Sequence, residues 1–131
     1  MQDATRRDTW VRIGAVDRFE AGRITPVPLE WPTRAPDGPR TRLSVYVRRN
    51  ADGSFVVFHG RCPDTGAPLA WDPRTERFFC PCRGSVFDRE GRVLAGPAPR
   101  PLDRHRWKVE AGVLYAGRIS GQEGPAFPLA V

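Results

Sequence analysis

All three cysteines of this chain fall between Val56 and Leu102, in two short segments set between runs of strand-forming residues. The first segment is Cys62-Pro63-Asp64. After residues 65–79 comes the second, Cys80-Pro81-Cys82-Arg83, followed by Gly84-Ser85 and by Gly96-Pro97-Ala98-Pro99-Arg100-Pro101-Leu102. Proline fixes φ near −65°, so this last segment is stiff whatever it covers. Three thiols do not make a disulfide framework. Two thiol-bearing loops followed by a rigid third point to one site, and the rest of the chain reads as its frame.

That frame is built of short strands. Trp10 to Val16 alternates apolar and polar residues, the pattern of a half-buried strand, and Arg18 to Gly22 reads as a turn. Ile24 to Leu29 is a second strand, confined to a sheet edge by Pro26 and Pro28, which cannot donate to a ladder. Residues 30–41 hold three prolines and a glycine without periodicity and are expected to be a loop. Arg42 to Arg48 alternates again, Asn50-Ala51-Asp52-Gly53 is a hairpin turn, and Ser54 to His59 returns as the partner strand that delivers the chain into Cys62. Further on, Asp72 to Thr75 is a turn leading through Glu76–Phe79 to Cys80, and Phe87 to Val93 is a strand–turn–strand. Trp107 to Ala116 is a closing hairpin turning at Ala111-Gly112.

Composition narrows the function classes. At 131 residues the chain fits one core, and 13 glycines with 14 prolines favour strands and turns over helices. The net charge of +6 is almost wholly arginine, since Lys108 is the only lysine, but the arginines are scattered and form no run, which argues against nucleic acid as a partner. No stretch approaches the roughly 20 apolar residues that cross a bilayer. Arg6-Arg7 is followed by charged residues where an export signal needs an apolar segment. The expectation is a protein without signal or anchor, cytoplasmic or held peripherally on a membrane complex through a partner.

The two loops, Gly84-Ser85 and the proline segment resemble the Rieske iron–sulfur domain over about residues 10–117, and in particular the soluble Rieske domain of quinol–cytochrome c oxidoreductase complexes. The resemblance implies an all-β fold, an antiparallel β-sandwich with a small two-loop cluster-binding subdomain. On it, residues 1–9 are a flexible tail and residues 10–117 the domain, with site loops 60–69 and 80–87 and the proline loop 96–102. Residues 118–131 are an irregular tail. It also implies a [2Fe–2S] cluster held by a C-x-H loop and a C-x2-H loop. Cys62 and Cys80 stand at the thiolate positions, but Asp64 and Arg83 replace the two histidines. Family members in quinol-oxidising complexes carry a disulfide between the loops; here its positions are Ala67 and Cys82, and it cannot form. Ser85 keeps the hydroxyl that tunes the cluster potential in high-potential members, whereas Phe87 lacks the hydroxyl of the tyrosine often found there.

Ligand chemistry decides between the readings. A guanidinium stays protonated and has no lone pair for a metal, and a carboxylate is a hard ligand in soft thiolate surroundings. Asp64 and Arg83 are expected to pair with each other across the space a metal would fill. The leading expectation is thus a degenerate subunit of an electron-transfer complex with no cofactor, no catalysis of its own and a structural or docking role, bound to protein subunits of a redox complex. Without a metal, Cys62 and Cys80 are placed to oxidise to a disulfide. The alternative is an electron-transfer protein with a [2Fe–2S] cluster on Cys62, Cys80 and Asp64. A third reading, thiol exchange by Cys80-Pro81-Cys82 or the Rieske portion of an oxygenase, lacks supporting parts. His59, at an odd spacing from Cys62, reads as a strand-end residue on the opposite face. His105 reads as a surface residue.

Overall fold

The computed structural model describes residues 9–31 and 41–120. The N-terminal tail up to residue 8, loop residues 32–40 and the tail from residue 121 lie outside the described residues. The described chain is all-β apart from a single 3₁₀ turn at Val16–Arg18. Ten strands follow in order: β1 (Val11–Ala15), β2 (Ile24–Trp31), β3 (Thr41–Arg49), β4 (Phe55–His59), β5 (Ala70–Asp72), β6 (Arg77–Phe79), β7 (Val86–Phe87), β8 (Val93–Ala95), β9 (Arg104–Glu110) and β10 (Val113–Ile119). No described helix is long and apolar enough to cross a membrane.

The strands make two antiparallel sheets. The large one runs β1-β10-β9-β4-β3-β2 and the small one β5-β6-β7-β8. β2 is an edge strand, as its prolines require, and it is longer than expected, taking in Glu30 and Trp31. Thr41 likewise opens β3, and β10 continues past the expected boundary at Gly117 to Ile119. The ends of the large sheet, β1 and β2, approach one another, so the sheet curls around its own core.

The clean alternation expected for β3 and β4 does not translate into one wet face. Val45 to Arg48 and Phe55 to Phe58 are buried without interruption, because each face of this hairpin meets a different core. Val45, Val47, Phe55 and Val57 turn inward to join Ile13, Phe19, Val27 and Leu114. Tyr46, Val56 and Phe58 turn the other way, to Leu69, Phe78, Phe87 and the two buried cysteines of the small sheet. Arg48 shares that second face, and each of its three guanidinium nitrogens finds an acceptor. Nη1 donates to Arg89 O at 2.8 Å, Nη2 to Glu90 Oε1 at 3.1 Å and Nε to Asn50 Oδ1 at 3.1 Å. The β3–β4 hairpin is thus the common wall of the molecule, and its C-terminal end carries the first cysteine loop.

Candidate functional site

Both cysteine loops are closed on themselves by backbone hydrogen bonds, so the side chains that face the site do not hold it open. In the first, Cys62 N donates to Ala67 O at 2.9 Å and Gly66 N to Cys62 O at 2.8 Å. In the second, Cys80 N donates to Ser85 O at 2.9 Å and Gly84 N to Cys80 O at 3.0 Å. Tyr46 Oη, on the common wall, donates to Leu69 O at 2.9 Å and anchors the exit of the first loop. The proline loop is tied down by Ser85, fully buried, whose Oγ accepts from Ala98 N at 3.1 Å. Gly96 turns that loop at φ +91°, and any Cβ there would overlap the Ser85 backbone.

The structure brings Cys62 and Cys80 together as buried, free thiols, 3% and 0% exposed. Asp64 N donates to Cys62 Sγ at 3.4 Å. Burial pushes the Cys80 thiol up, but donors to its sulfur outweigh this and hold it below the ordinary thiol value: the Thr65 hydroxyl, the Cys82 and Arg83 backbone N–H groups, and the Cys62 thiol. Thr65, 3.5 Å from Cys80 Sγ, escaped the sequence reading, because nothing marks a loop threonine as a sulfur ligand before the loop is folded. Cys82 is exposed and takes no part in the thiol pair.

Asp64 and Arg83 do face one another, with Arg83 Nε 3.4 Å from Asp64 Oδ2. The Asp64 side chain is only 16% exposed and that of Arg83 60%. Asp64 Oδ2 is buried without an aligned hydrogen bond, so charge alone holds the pair. A Rieske cluster requires two thiolates and two imidazoles. The donors here are two thiols, a carboxylate already facing a cation, and a guanidinium without a lone pair. No three His, Cys, Asp or Glu side chains of the described residues converge on one point. The residues present do not fit the family's cluster ligation.

The two histidines are elsewhere, and one expectation about them is wrong. His59 ends β4, but His105 is not on the surface; it is 6% exposed. The β4–β9 register sets Val57 opposite His105, which brings the imidazole diagonally onto His59. His59 Nδ1 and His105 Nε2 lie 2.9 Å apart, and His105 Nδ1 lies 2.8 Å from Gly117 O. Gly117 O can only accept, so His105 carries its proton on Nδ1 and accepts from His59 Nδ1–H. Trp31 stacks on His105 with centroids 4.9 Å apart. Burial pushes His105 down to about 4 and lowers His59 as well. A groove of about 820 Å³ opens away from both features, between the start of β2 and the β5–β6 hairpin. Among its charges, Arg89 pairs with Glu76 at 3.0 Å and Arg23 with Glu20 at 3.3 Å.

Comparison with known proteins agrees with this geometry. The profile of the Rieske [2Fe-2S] domain matches residues 9–108. The cytochrome b6-f complex iron-sulfur subunit of Chlorobaculum tepidum is 32% identical over 65 residues, covering 50% of this chain and 36% of that protein. The menaquinol:cytochrome c reductase iron-sulfur subunit of Bacillus subtilis is 33% identical over 79 residues, covering 57% and 47%. The chain thus spans under half the length of these relatives. Among solved structures, the plasma membrane Rieske protein PetC3 of Synechocystis PCC 6803 superimposes with a TM-score of 0.55 at 27% identity, over 81% of this chain and 97% of that one. Two sheets, two cysteine loops, a proline loop and a matching profile across most of the sequence lead to one conclusion: the chain belongs to the Rieske [2Fe-2S] domain family.

Proposed function

We propose that this chain is a Rieske-fold module of an electron-transfer complex of the quinol-oxidising kind, acting as a structural or docking element without a [2Fe–2S] cluster. The observation that carries this reading is the Asp64–Arg83 ion pair, 3.4 Å apart and beside the two buried thiols, where the family places its imidazoles. An occupied cluster site would need one member to leave the pair and the other to coordinate, and arginine has no lone pair with which to do so. The redox-complex setting is supported by relatives that are iron-sulfur subunits of cytochrome b6-f and menaquinol:cytochrome c reductase complexes. Association with a membrane would then run through partner subunits. The test is iron, acid-labile sulfide and the visible spectrum of anaerobically purified protein. The expected result is a colourless, folded, iron-free protein; a pair of irons and a pair of sulfides per chain would overturn the reading.

One observation favours a second reading, electron transfer by a cluster on Cys62, Cys80 and Asp64. The buried Oδ2 of Asp64 accepts no hydrogen bond, only the charge of Arg83 Nε at 3.4 Å, so a metal would have to displace a single ion pair to bind it. On that reading Asp64→Ala abolishes the visible spectrum, and a spectrum unchanged by the substitution rules it out.

A further inference from the structure

In the family's arrangement two cysteines converge because one iron holds both. In this chain the same convergence is maintained by the protein's own bonds. Asp64 N donates to Cys62 Sγ at 3.4 Å, Thr65 of the same loop lies 3.5 Å from Cys80 Sγ, and the two buried thiols share one apolar cluster. The Thr65 oxygen already accepts from Ala67 N at 3.1 Å, so its proton is free for the sulfur. A disulfide needs two cysteines brought together from backbones a few ångströms apart, and two buried thiols in one cluster, with Thr65 of the first loop 3.5 Å from the sulfur of the second, supply that proximity. Cys82 stands apart from the pair, since it is exposed while Cys62 and Cys80 are buried together.

We propose that Cys62 and Cys80 form an intramolecular disulfide, a redox site whose oxidant is a low-molecular-weight disulfide such as oxidised glutathione. The inference rests on the reading above, in which no cluster occupies these thiols. Cys80 is fully buried, and the exposed Thr65 side chain, 3.5 Å from Cys80 Sγ, is its cover on the solvent side, so a small disulfide reaches the sulfur when that side chain swings aside. The Cys80 thiolate attacks one sulfur of the oxidant, forming a mixed disulfide and releasing one thiolate that takes up a proton. Cys62, losing its own proton, then attacks Cys80 Sγ, which closes the protein disulfide and releases the second small thiol. Two electrons and two protons pass from the protein to the oxidant, which leaves as two thiols. The bond joins the site loops where other members use a cluster.

The test uses the full chain, purified anaerobically and reduced. Iron and sulfide are counted first. The protein is then equilibrated in glutathione buffers of increasing oxidised fraction, thiols are titrated after denaturation, and peptides are mapped by mass. The expected result is an iron-free protein whose three thiols fall to the single thiol of Cys82, with a Cys62–Cys80 cross-linked peptide that dithiothreitol reverses. The unfolding midpoint is expected to rise by roughly 10 °C on oxidation. Cys82→Ser should lose both remaining thiols in the same buffers. Iron-free protein that keeps all three thiols, or a cross-link that includes Cys82, overturns this inference alone. Iron and sulfide bound through Cys62 and Cys80 overturn the functional reading as well, so the two failures are separable.

Discussion

Asp64 and Arg83 belong to different loops, and neither loop needs its side chain to keep its shape, since both are closed through backbone groups. Replacing the two residues therefore changes the chemistry of the site without unmaking it. Asp64→His combined with Arg83→His restores two imidazoles beside two thiols, and the double variant is expected to acquire iron and acid-labile sulfide in equal amounts with visible absorption. Protein that folds by circular dichroism yet stays colourless under anaerobic reconstitution would show that more than the ligands separates this chain from its relatives. The single change Asp64→Ala, by contrast, is expected to move stability by no more than about 1 kcal/mol, because it breaks an ion pair whose arginine is largely in water. Urea unfolding measures it. At this scale the sequence was informative wherever the loop motifs carry meaning: they singled out Cys62 and Cys80, which are buried together, and Asp64 and Arg83, which pair. The histidine pair was not, since His59 and His105 are 46 positions apart. Only the β4–β9 register, which no local pattern encodes, decides that they meet. On β9 itself His105 sits between exposed Arg104 and Arg106, and by sequence the whole segment looks like surface.

Between elements, the histidine pair is a polar bond across two strands of the large sheet and makes stability depend on pH. Both imidazoles are harder to protonate folded than unfolded, chiefly through burial. Arg61 and Arg100 reinforce this at His59, and Asp103 opposes it. The unfolded chain therefore takes up protons that the folded one refuses. Stability that is complete above pH 6.5 is lost as pH falls toward about 4, with His105 alone accounting for about 3 kcal/mol. Unfolding free energies of the native chain and of His105→Gln, each measured at pH 7.5 and at pH 4.5, should differ in slope; equal slopes would place the acid sensitivity elsewhere. The β9–β10 hairpin offers a second test. Its turn residues Ala111 and Gly112 have φ of 52° and 76°, so both positions are left-handed, as a type I′ turn requires. Glycine meets that requirement freely and alanine does not. Ala111→Gly is expected to stabilise by about 1 kcal/mol, read as a rise in thermal midpoint. The turn's location was legible from Ala-Gly between two strand patterns, whereas the unfavourable alanine conformation appears only once the backbone is known.

The whole molecule is two cores on either side of one hairpin, and they are unequal. The large sheet has strands of five to nine residues and curls around its own apolar interior. The small sheet has strands of two or three, too short to stand without a partner surface. What holds it is aromatic packing against the outer face of β3 and β4. Phe78, fully buried, lies 5.2 Å from Phe58, 5.3 Å from Tyr46 and 4.6 Å from Trp71, ring centre to ring centre. Since both cysteine loops are carried by the small sheet and its junction with β4, the site is only as ordered as this contact. Phe78→Ala is expected to cost about 3–5 kcal/mol, and the loss should not be spread evenly. Backbone amides of Cys80, Gly84 and Leu102, which close the site loops and their cover, should lose hydrogen-exchange protection first, while those of β10 and β3 keep most of theirs. If instead every amide loses the same free energy, the two sheets open as one cooperative unit, and the aromatic contact does not set the order of the site by itself.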